Sequence, residues 1–456
     1  MFGLPAALLM LIALIALIGV LFLVFKRPMY ENMACGLLLL VALSGQWEHL
    51  GEYLVMPAQD SLFYVIFTFM VLAVLFDATD VVGRIVQIML ALIGRFRGGS
   101  GYVATLTSAF MASLSGSGPG NAAAVGAFTI PMMKRAGFKP HTAASIEMSA
   151  SMLGNIIPPA GIIFLTYGVV DRLYPGEISL SGWTLASYTV GLWFLLQKIV
   201  VLFAICRVTK VEPIPVAERP RLREAWRDGW PALLLPVLMF VPLLIDFLGE
   251  DMLIARLGEE GADNFSSAVL MFTPGIAAAY ALLIGRRSLP GGKLRLAPVL
   301  EIFRGSLPKV VPVAATVYFA YAISDAFVGL DADAEIQEWV TGLDLNIAAL
   351  VVLLPLVFAV LGMVLPGTAQ VAILGGSLVA AWAALGGDPL LLAVMLPALT
   401  GALEGMTPPL ALGLFVTMGI AGSEFGKTAR AATVWIVVHL LMSMALLAGL
   451  LPIAGI

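Results

Sequence analysis

The sequence predicts an all-α polytopic membrane protein of about ten transmembrane spans plus two re-entrant helical hairpins, arranged as inverted-topology repeats. Three observations predict it. Of 456 residues, 60% are hydrophobic and only 12% charged, with a mean hydropathy of +1.00, whereas a soluble domain carries about 25% charged residues. Apolar stretches long enough to cross a bilayer, at about 20 residues each, recur along the whole chain. The order of these stretches in the first half then recurs in the second with every direction reversed.

The spans are the nearly uncharged stretches 3–25, 32–47, 61–76, 142–170, 181–206, 230–248, 266–285, 308–328, 389–421 and 431–454. Gly3 to Phe25 has neither a basic start nor a small-residue cleavage site, so it reads as a retained helix. Two more apolar stretches, 100–133 and 347–385, are broken in the middle by glycine and proline and carry like flanks. Each is expected to enter and leave on one side. With Lys26 and Arg27 cytoplasmic, 22 of the 25 Lys and Arg residues fall inside, Arg172 and Arg256 outside, and Lys198 within a span. That lopsidedness fixes the orientation, and both termini face the periplasm.

From residue 61 the order is a span going in, an amphipathic stretch (Val82 to Phe96), a hairpin, a proline-broken span going out and a span returning. From 308 it recurs inverted. The expected organisation is therefore N-terminal scaffold helices at 1–60 and a first repeat at 61–206. A cytoplasmic basic loop follows at 207–229, then a second scaffold pair with its connector at 230–307 and a second repeat at 308–456. Inverted repeats with interrupted helices are a transporter signature, with the site near the midplane where the interruptions meet.

The interruptions carry the candidate site. The first hairpin turns at Ser115-Gly116-Ser117-Gly118-Pro119-Gly120-Asn121, and the next span breaks at Gly154-Asn155-Ile156-Ile157-Pro158-Pro159. The second turns at Leu365-Pro366-Gly367-Thr368-Ala369, and its following span breaks at Glu404-Gly405-Met406-Thr407-Pro408-Pro409. Pro119 to Pro158 is 39 residues and Gly367 to Pro408 is 41, one device used twice. Paired prolines withhold amide hydrogens and free upstream carbonyls, which suit a cation, while half-helix N-termini present amides to an anion. Two cation sites flanking one anionic substrate are expected. The cation candidates are Ser115, Gly116, Ser117, Gly154, Asn155, Gly367, Thr368, Gly405 and Thr407; the substrate candidates are Ser117, Asn121, Asn155, Pro159, Thr368 and Thr407. A single kink is more often a packing bend, and a lone serine often bonds only its own backbone; four matched interruptions weigh against that. Glu147 and Glu404 lie deepest of the carboxylates and are candidate proton or coupling sites. Glu404 reads equally as a proton carrier, a cation ligand or a partner for a nearby amide. Lys198 is expected to snorkel or to pair with a neighbouring helix, and Asp246 and Asp325, at span ends, to be solvated.

Other function classes fall away. A net charge of −4 with no free basic tract offers nothing to a nucleic-acid backbone. Cys35 and Cys206 make neither a disulfide framework nor a metal-ligand spacing. A serine hydrolase needs a positioned base, and His49, His141 and His439 sit in an outer loop, at a span start and in the last helix. No phosphate-cradling Gly-Lys-Ser/Thr loop supports ATP drive.

Phe110-Met-Ala-Ser-Leu-Ser-Gly-Ser-Gly118, Thr129-Ile-Pro-Met-Met-Lys-Arg-Ala-Gly-Phe138, Ile156-Ile-Pro-Pro159, and Thr407-Pro-Pro-Leu-Ala411 with Gly419-Ile-Ala-Gly422 resemble the repeated elements of a known family. It is the large membrane subunit of tripartite ATP-independent periplasmic (TRAP) transporters. The resemblance covers nearly the whole chain. It implies a sodium-driven secondary importer of organic acids in a cell inner membrane, with Na+ as the coupling ion. It also implies an elevator-type transport domain moving against a scaffold, a small four-helix membrane subunit on a separate chain, and a periplasmic binding protein that delivers the small organic anion. The family's cation sites fall on Ser115 to Ser117, Gly154 and Asn155, Gly367 and Thr368, and Gly405 to Thr407. Two features depart from its pattern: Gly118 stands where a hydroxyl is usual, and the charge of Glu404 has no counterpart, which leaves proton coupling open. A stand-alone cation- or proton-coupled anion transporter of related inverted-repeat fold is the competing reading.

Overall fold

A computed structural model describes residues 5–59, 63–64, 67–68, 75, 78–216, 219–289, 294–330, 334–335, 338–339, 342, 346–363, 365–408 and 411–456. Among these residues the regular structure is helical throughout. The expected span 61–76 lies largely outside them.

Two apolar helices, α1 (Ala6–Leu23) and α2 (Met29–Ser44), open the chain, and Gly45, at φ +75, ends α2 in the left-handed conformation that favours glycine. Then come α3 (Leu50–Gln59) and α4 (Val81–Ile93). On α4, Val81, Val82, Ile85 and Val86 are buried at helical spacing, which matches the amphipathic stretch expected at 82–96.

The first interrupted unit follows. Helices α5 (Gly99–Ser115) and α6 (Gly118–Arg135) pack against each other across a two-residue turn. Gly116 takes φ +58 there, and the extended Ser117 caps α6 by accepting from the Gly120 amide at 3.3 Å. Helix α7 (Pro140–Ser151) tightens into a 3-10 turn at Met152–Asn155, unwinds over 156–160 and restarts as α8 (Gly161–Leu173). At 12 and 13 residues, α7 and α8 each reach about 18–20 Å, short of a hydrocarbon core of about 30 Å. The 30-residue α9 (Leu180–Thr209) closes the unit, capped by Ser179.

After the basic loop come α10 (Leu222–Gly229), α11 (Leu234–Leu248), α12 (Glu250–Gly285, kinked at Gly258) and α13 (Leu296–Val328). The second unit repeats the first. Helices α14 (Ile347–Leu361) and α15 (Gly367–Ala384) flank a turn, and α16 (Pro389–Pro397) runs into a π-helical turn at Ala398–Ala402. The chain restarts as α17 (Leu412–Ala421) and ends with α18 (Phe425–Leu447). Among the described residues, five helical runs are long and apolar enough to cross a bilayer. Two expected spans, 142–170 and 389–421, appear as pairs of shorter helices because their backbones are interrupted.

The two units interlock. Helix α17 of the second packs on α6 and α7 of the first, and α15 packs on α8. The Lys134 ammonium at the end of α6 donates to the Ala421 carbonyl at the end of α17 at 2.8 Å, satisfying a helix C-terminus. Helices α1, α2, α3 and α13 pack among themselves, and α15 joins α13 to the interlocked units.

Two expectations are corrected. Asp325 is not solvated: its side chain is 9% exposed and pairs with Arg172 of α8. Asp246 is 3% exposed, beside Ser181 and Ser266. Sequence depth places a residue along its own helix and says nothing of what packs over the helix end; here α8 and the start of α9 cover both carboxylates. Of the two roles expected for Lys198, the structure shows the pairing with a neighbouring helix. Lys198 is 1% exposed, and its ammonium donates to Ser149 Oγ of α7 at 2.9 Å. Asp325→Ala removes a carboxylate that pairs with the Arg172 guanidinium, 18% exposed, so a loss of roughly 2 kcal/mol is expected. Thermal unfolding in detergent measures it, and an Arg172→Leu/Asp325→Leu pair should recover part of the loss.

Candidate functional site

The chemistry of the site begins with main-chain groups that the interruptions release. Residues 151–160 are all buried. Over 156–159 the backbone is not helical, and among the described residues no donor reaches the carbonyls of Ile156, Ile157, Pro158 and Pro159. Unpaired polar backbone is tolerated at membrane depth only where it is enclosed by protein or lines a wet cavity. The peptide bond between Pro158 and Pro159 is cis.

Asn155 ties three of the interruptions together. Its Oδ1 accepts from the Gly118 amide at the start of α6 at 2.9 Å, and its Nδ2 donates to the Gly401 carbonyl in the π-helical turn. One side chain therefore joins the first hairpin tip, the first break and the irregular turn of the second unit. In the second unit, Glu404 accepts from the Gly367 amide at the start of α15 through Oε2.

Both caps span 37 residues, Gly118 to Asn155 and Gly367 to Glu404. Pro159 likewise stands 41 residues after Gly118, as Pro408 does after Gly367. The position of Glu404, though not its charge, thus has a counterpart in the chain itself. Asn155 and Glu404 occupy matching places in the two repeats, and each caps the helix that returns from a hairpin tip. The first cap is a neutral amide and the second a carboxylate, the stronger acceptor for an amide at a helix N-terminus.

Glycines let these backbones touch. A Cβ on Gly154 would stand 2.7 Å from the Ser117 carbonyl, and one on Gly367 would stand 2.9 Å from the Thr400 carbonyl carbon. Met152, which the sequence reading did not single out, is fully buried and lies against Gly118, Gly405 and Gly413. Glycines drawn from both repeats around one position were its only sequence signal. Gly401 was missed too, because a π-helical turn has no residue signature; such turns recur at functional sites.

The other candidates divide by position. Gly116 and Ser117 are half-buried at the first tip, with Gly116 against the Pro159 carbonyl. The side chain of Ser115 lies outside the described residues, as do Pro409 and Leu410. Thr368 is half-buried in the first turn of α15. Thr407 is buried, and its hydroxyl donates back to the Leu403 carbonyl at 2.8 Å. Asn121 is buried and donates to the Ser108 carbonyl at 2.8 Å and the Ser151 carbonyl at 3.4 Å. Glu147 is fully buried, and its carboxylate accepts from Ser108 at 2.8 Å, Ser151 at 2.9 Å and Thr129. These bonds join α5, α6 and α7, whereas the carboxylate of Glu404 bonds a hairpin tip directly.

The family model described as "Tripartite ATP-independent periplasmic transporter, DctM component" matches residues 1–452. The chain belongs to this family. It is a multi-pass inner-membrane permease component, not an enzyme. It is 27% identical over 364 residues to the C4-dicarboxylate TRAP transporter large permease protein DctM of Pseudomonas aeruginosa, covering 78% of this chain and 77% of that protein. It is 26% identical over 391 residues to the 2,3-diketo-L-gulonate TRAP transporter large permease protein YiaN of Escherichia coli, covering 83% of each. The sialic acid TRAP transporter large permease protein SiaM of Vibrio cholerae is 23% identical over 361 residues, 78% of this chain and 77% of that one. Among solved structures, the Alcanivorax borkumensis YdaH transporter shares the fold with a TM-score of 0.62 at 17% identity, covering 89% of this chain and 88% of that chain.

Asn155→Ala removes partners from the Gly118 amide and the Gly401 carbonyl, both buried, at a cost of about 1–3 kcal/mol for each. Asn155→Asp keeps the acceptor and loses the donor. The expected order of thermal stability is wild type, then Asp, then Ala, read by unfolding in detergent.

Proposed function

We propose that this permease component carries out sodium-coupled import of a small organic acid, delivered by a periplasmic binding protein and aided by a small four-helix membrane subunit on a separate chain. The observation that carries this reading is the pair of matched caps: two hairpin tips, each bound to a break 37 residues on. The freed carbonyls of 156–159 and the hydroxyls of Ser117, Thr368 and Thr407 are hard oxygen donors of the kind that suits Na+ rather than a softer metal, and Ser115 joins them as a candidate from the sequence. Gly154, Asn155 and Gly405 supply the close backbone approach and the amide oxygen. The uncapped amides in the first turn of α15 and at the start of α8 suit a carboxylate, with Ser117, Asn121, Asn155, Pro159, Thr368 and Thr407 as its neighbours. Relatives of similar length include permeases named for C4-dicarboxylate, 2,3-diketo-L-gulonate and sialic acid, all acids, which supports an organic anion as cargo.

In this reading the two hairpins are re-entrant, both termini face the periplasm, and the interlocked units α5–α9 and α14–α18 move as an elevator against α1–α3 and α11–α13. Cargo binding neutralises the cation charge, so the loaded unit crosses with a smaller desolvation penalty than either ion alone. A second reading, proton coupling, is favoured by one observation: Glu404, part-exposed, bonds a hairpin tip.

Reconstituted with its partners, the protein is expected to accumulate substrate when sodium is high outside and to stop when it is replaced by potassium. Uptake that instead follows an imposed proton gradient with sodium absent, and vanishes in Glu404→Gln, assigns coupling to Glu404. Thr407→Ala and Ser115→Ala are expected to weaken sodium dependence several-fold with expression unchanged. An unaltered sodium affinity in both removes those hydroxyls from the site.

A further inference from the structure

Outside the transport site, one surface combines two features that nothing so far explains. The first is a crevice of about 510 Å³ between the first hairpin and α11. Met89, Leu106 and Pro236 line one end, and Ser113, Ile157 and Val241 the other. Leu106 to Ser113 is seven residues of helix, so the crevice runs roughly 10 Å along the bundle. Its deep end touches Ile157, inside the first break.

The second feature is α10. Ala225 and Gly229 are buried, and a Cβ on Gly229 would stand 2.8 Å from the Ile88 side chain of α4. That contact sets α10 beside the Met89 end of the crevice. Leu222 and Trp226 of α10, at i and i+4, and Trp230, which opens the 3-10 turn that follows, are 47%, 50% and 45% exposed. Arg221, Arg223 and Arg227 are exposed alongside them. Arg221 and Arg227 reach Glu224 and Asp228 at 3.5 and 2.9 Å, and among the described residues nothing pairs with Arg223. Tryptophans on a short amphipathic helix edged by arginines mark a segment lying at headgroup depth, and clustered arginines there attract anionic lipid.

We propose that this surface binds one anionic phospholipid, its headgroup on the arginines of α10 and one acyl chain in the crevice against the hairpin and Ile157. Charge selects the occupant: the apolar crevice accepts any acyl chain, whereas the neighbouring α10 carries Arg221, Arg223 and Arg227 against Glu224 and Asp228, a net positive charge with Arg223 lacking an acidic partner among the described residues. Because α5 and Ile157 belong to the interrupted unit and α11 to the neighbouring helix pair, the chain sits at the seam between them. The proposal is independent of which ion or acid the protein carries.

Native mass spectrometry of the full chain, purified with its small membrane partner from mixed phosphatidylglycerol and phosphatidylethanolamine, tests it. One retained phosphatidylglycerol per chain is expected. In Arg221→Gln/Arg223→Gln/Arg227→Gln, exposed positions whose loss spares the core, preference over phosphatidylethanolamine should fall by roughly fivefold for each arginine that contributes. Phosphatidylglycerol with a photoreactive acyl chain should label residues 106–113 or 236–241, and Ala109→Trp, which fills the crevice wall, should abolish labelling. Equal retention of the two lipids by wild type overturns the proposal. So does a preference unchanged in the arginine variant, or a complex whose small subunit covers the crevice and leaves no lipid there.

Discussion

Everything at the centre of this protein depends on how it satisfies the main chain where helices stop inside the fold. A membrane helix normally closes all its hydrogen bonds internally; here α5, α7, α14 and α16 end in the interior, and the polar groups released must find partners or ions. Asn155 and Glu404 each meet one such need by capping the helix that returns from a hairpin tip. The caps fix each tip to the break that follows it, and Asn155 reaches on to Gly401 and so fastens the two repeats together. The glycines at 154 and 367 leave no room for a side chain between these backbones. Packing, capping and the buried, unpaired carbonyls are thus consequences of one constraint.

The two caps differ by a charge. An amide that both accepts and donates makes Asn155 a fixed junction. A carboxylate only accepts while it is ionised, so Glu404 holds Gly367 without a second tie of the kind Asn155 makes to Gly401. The repeats share a plan yet are unequal in charge, since among the described residues the second brings a carboxylate to its tip and the first an amide. Glu147, with three hydroxyl partners, is already spent on holding α5, α6 and α7 together.

Much of this was legible in the sequence because glycine and proline act locally. The first turn, expected within 115–121, falls at Gly116 and Ser117, where a left-handed residue and an N-cap are both written in the residue types. The break expected at 154–159 falls at 156–160 for the same reason. The second turn lies slightly earlier than its motif suggests, with α14 ending at Leu361 and Pro366 preceding α15. What stayed hidden depends on tertiary contact. The partner of Glu404, the bridge from Asn155 to Gly401, the π-helical turn and the seat of Met152 all require the second repeat to be folded onto the first. The burial of Asp246 and Asp325 was misread for that reason: nothing near either residue in sequence announces the helix that covers it.

In the proposed mechanism both hairpin tips and both breaks converge on one chamber whose unpaired main-chain poles hold the transported ions. A density map of the complex, determined with and without sodium, tests it most directly. Interrupted helices are expected at 116–117 and 362–366, with sodium-dependent peaks beside the carbonyls of 156–159 and within reach of Gly405 to Thr407. Continuous helix through either turn, or identical maps at both sodium levels, would contradict it.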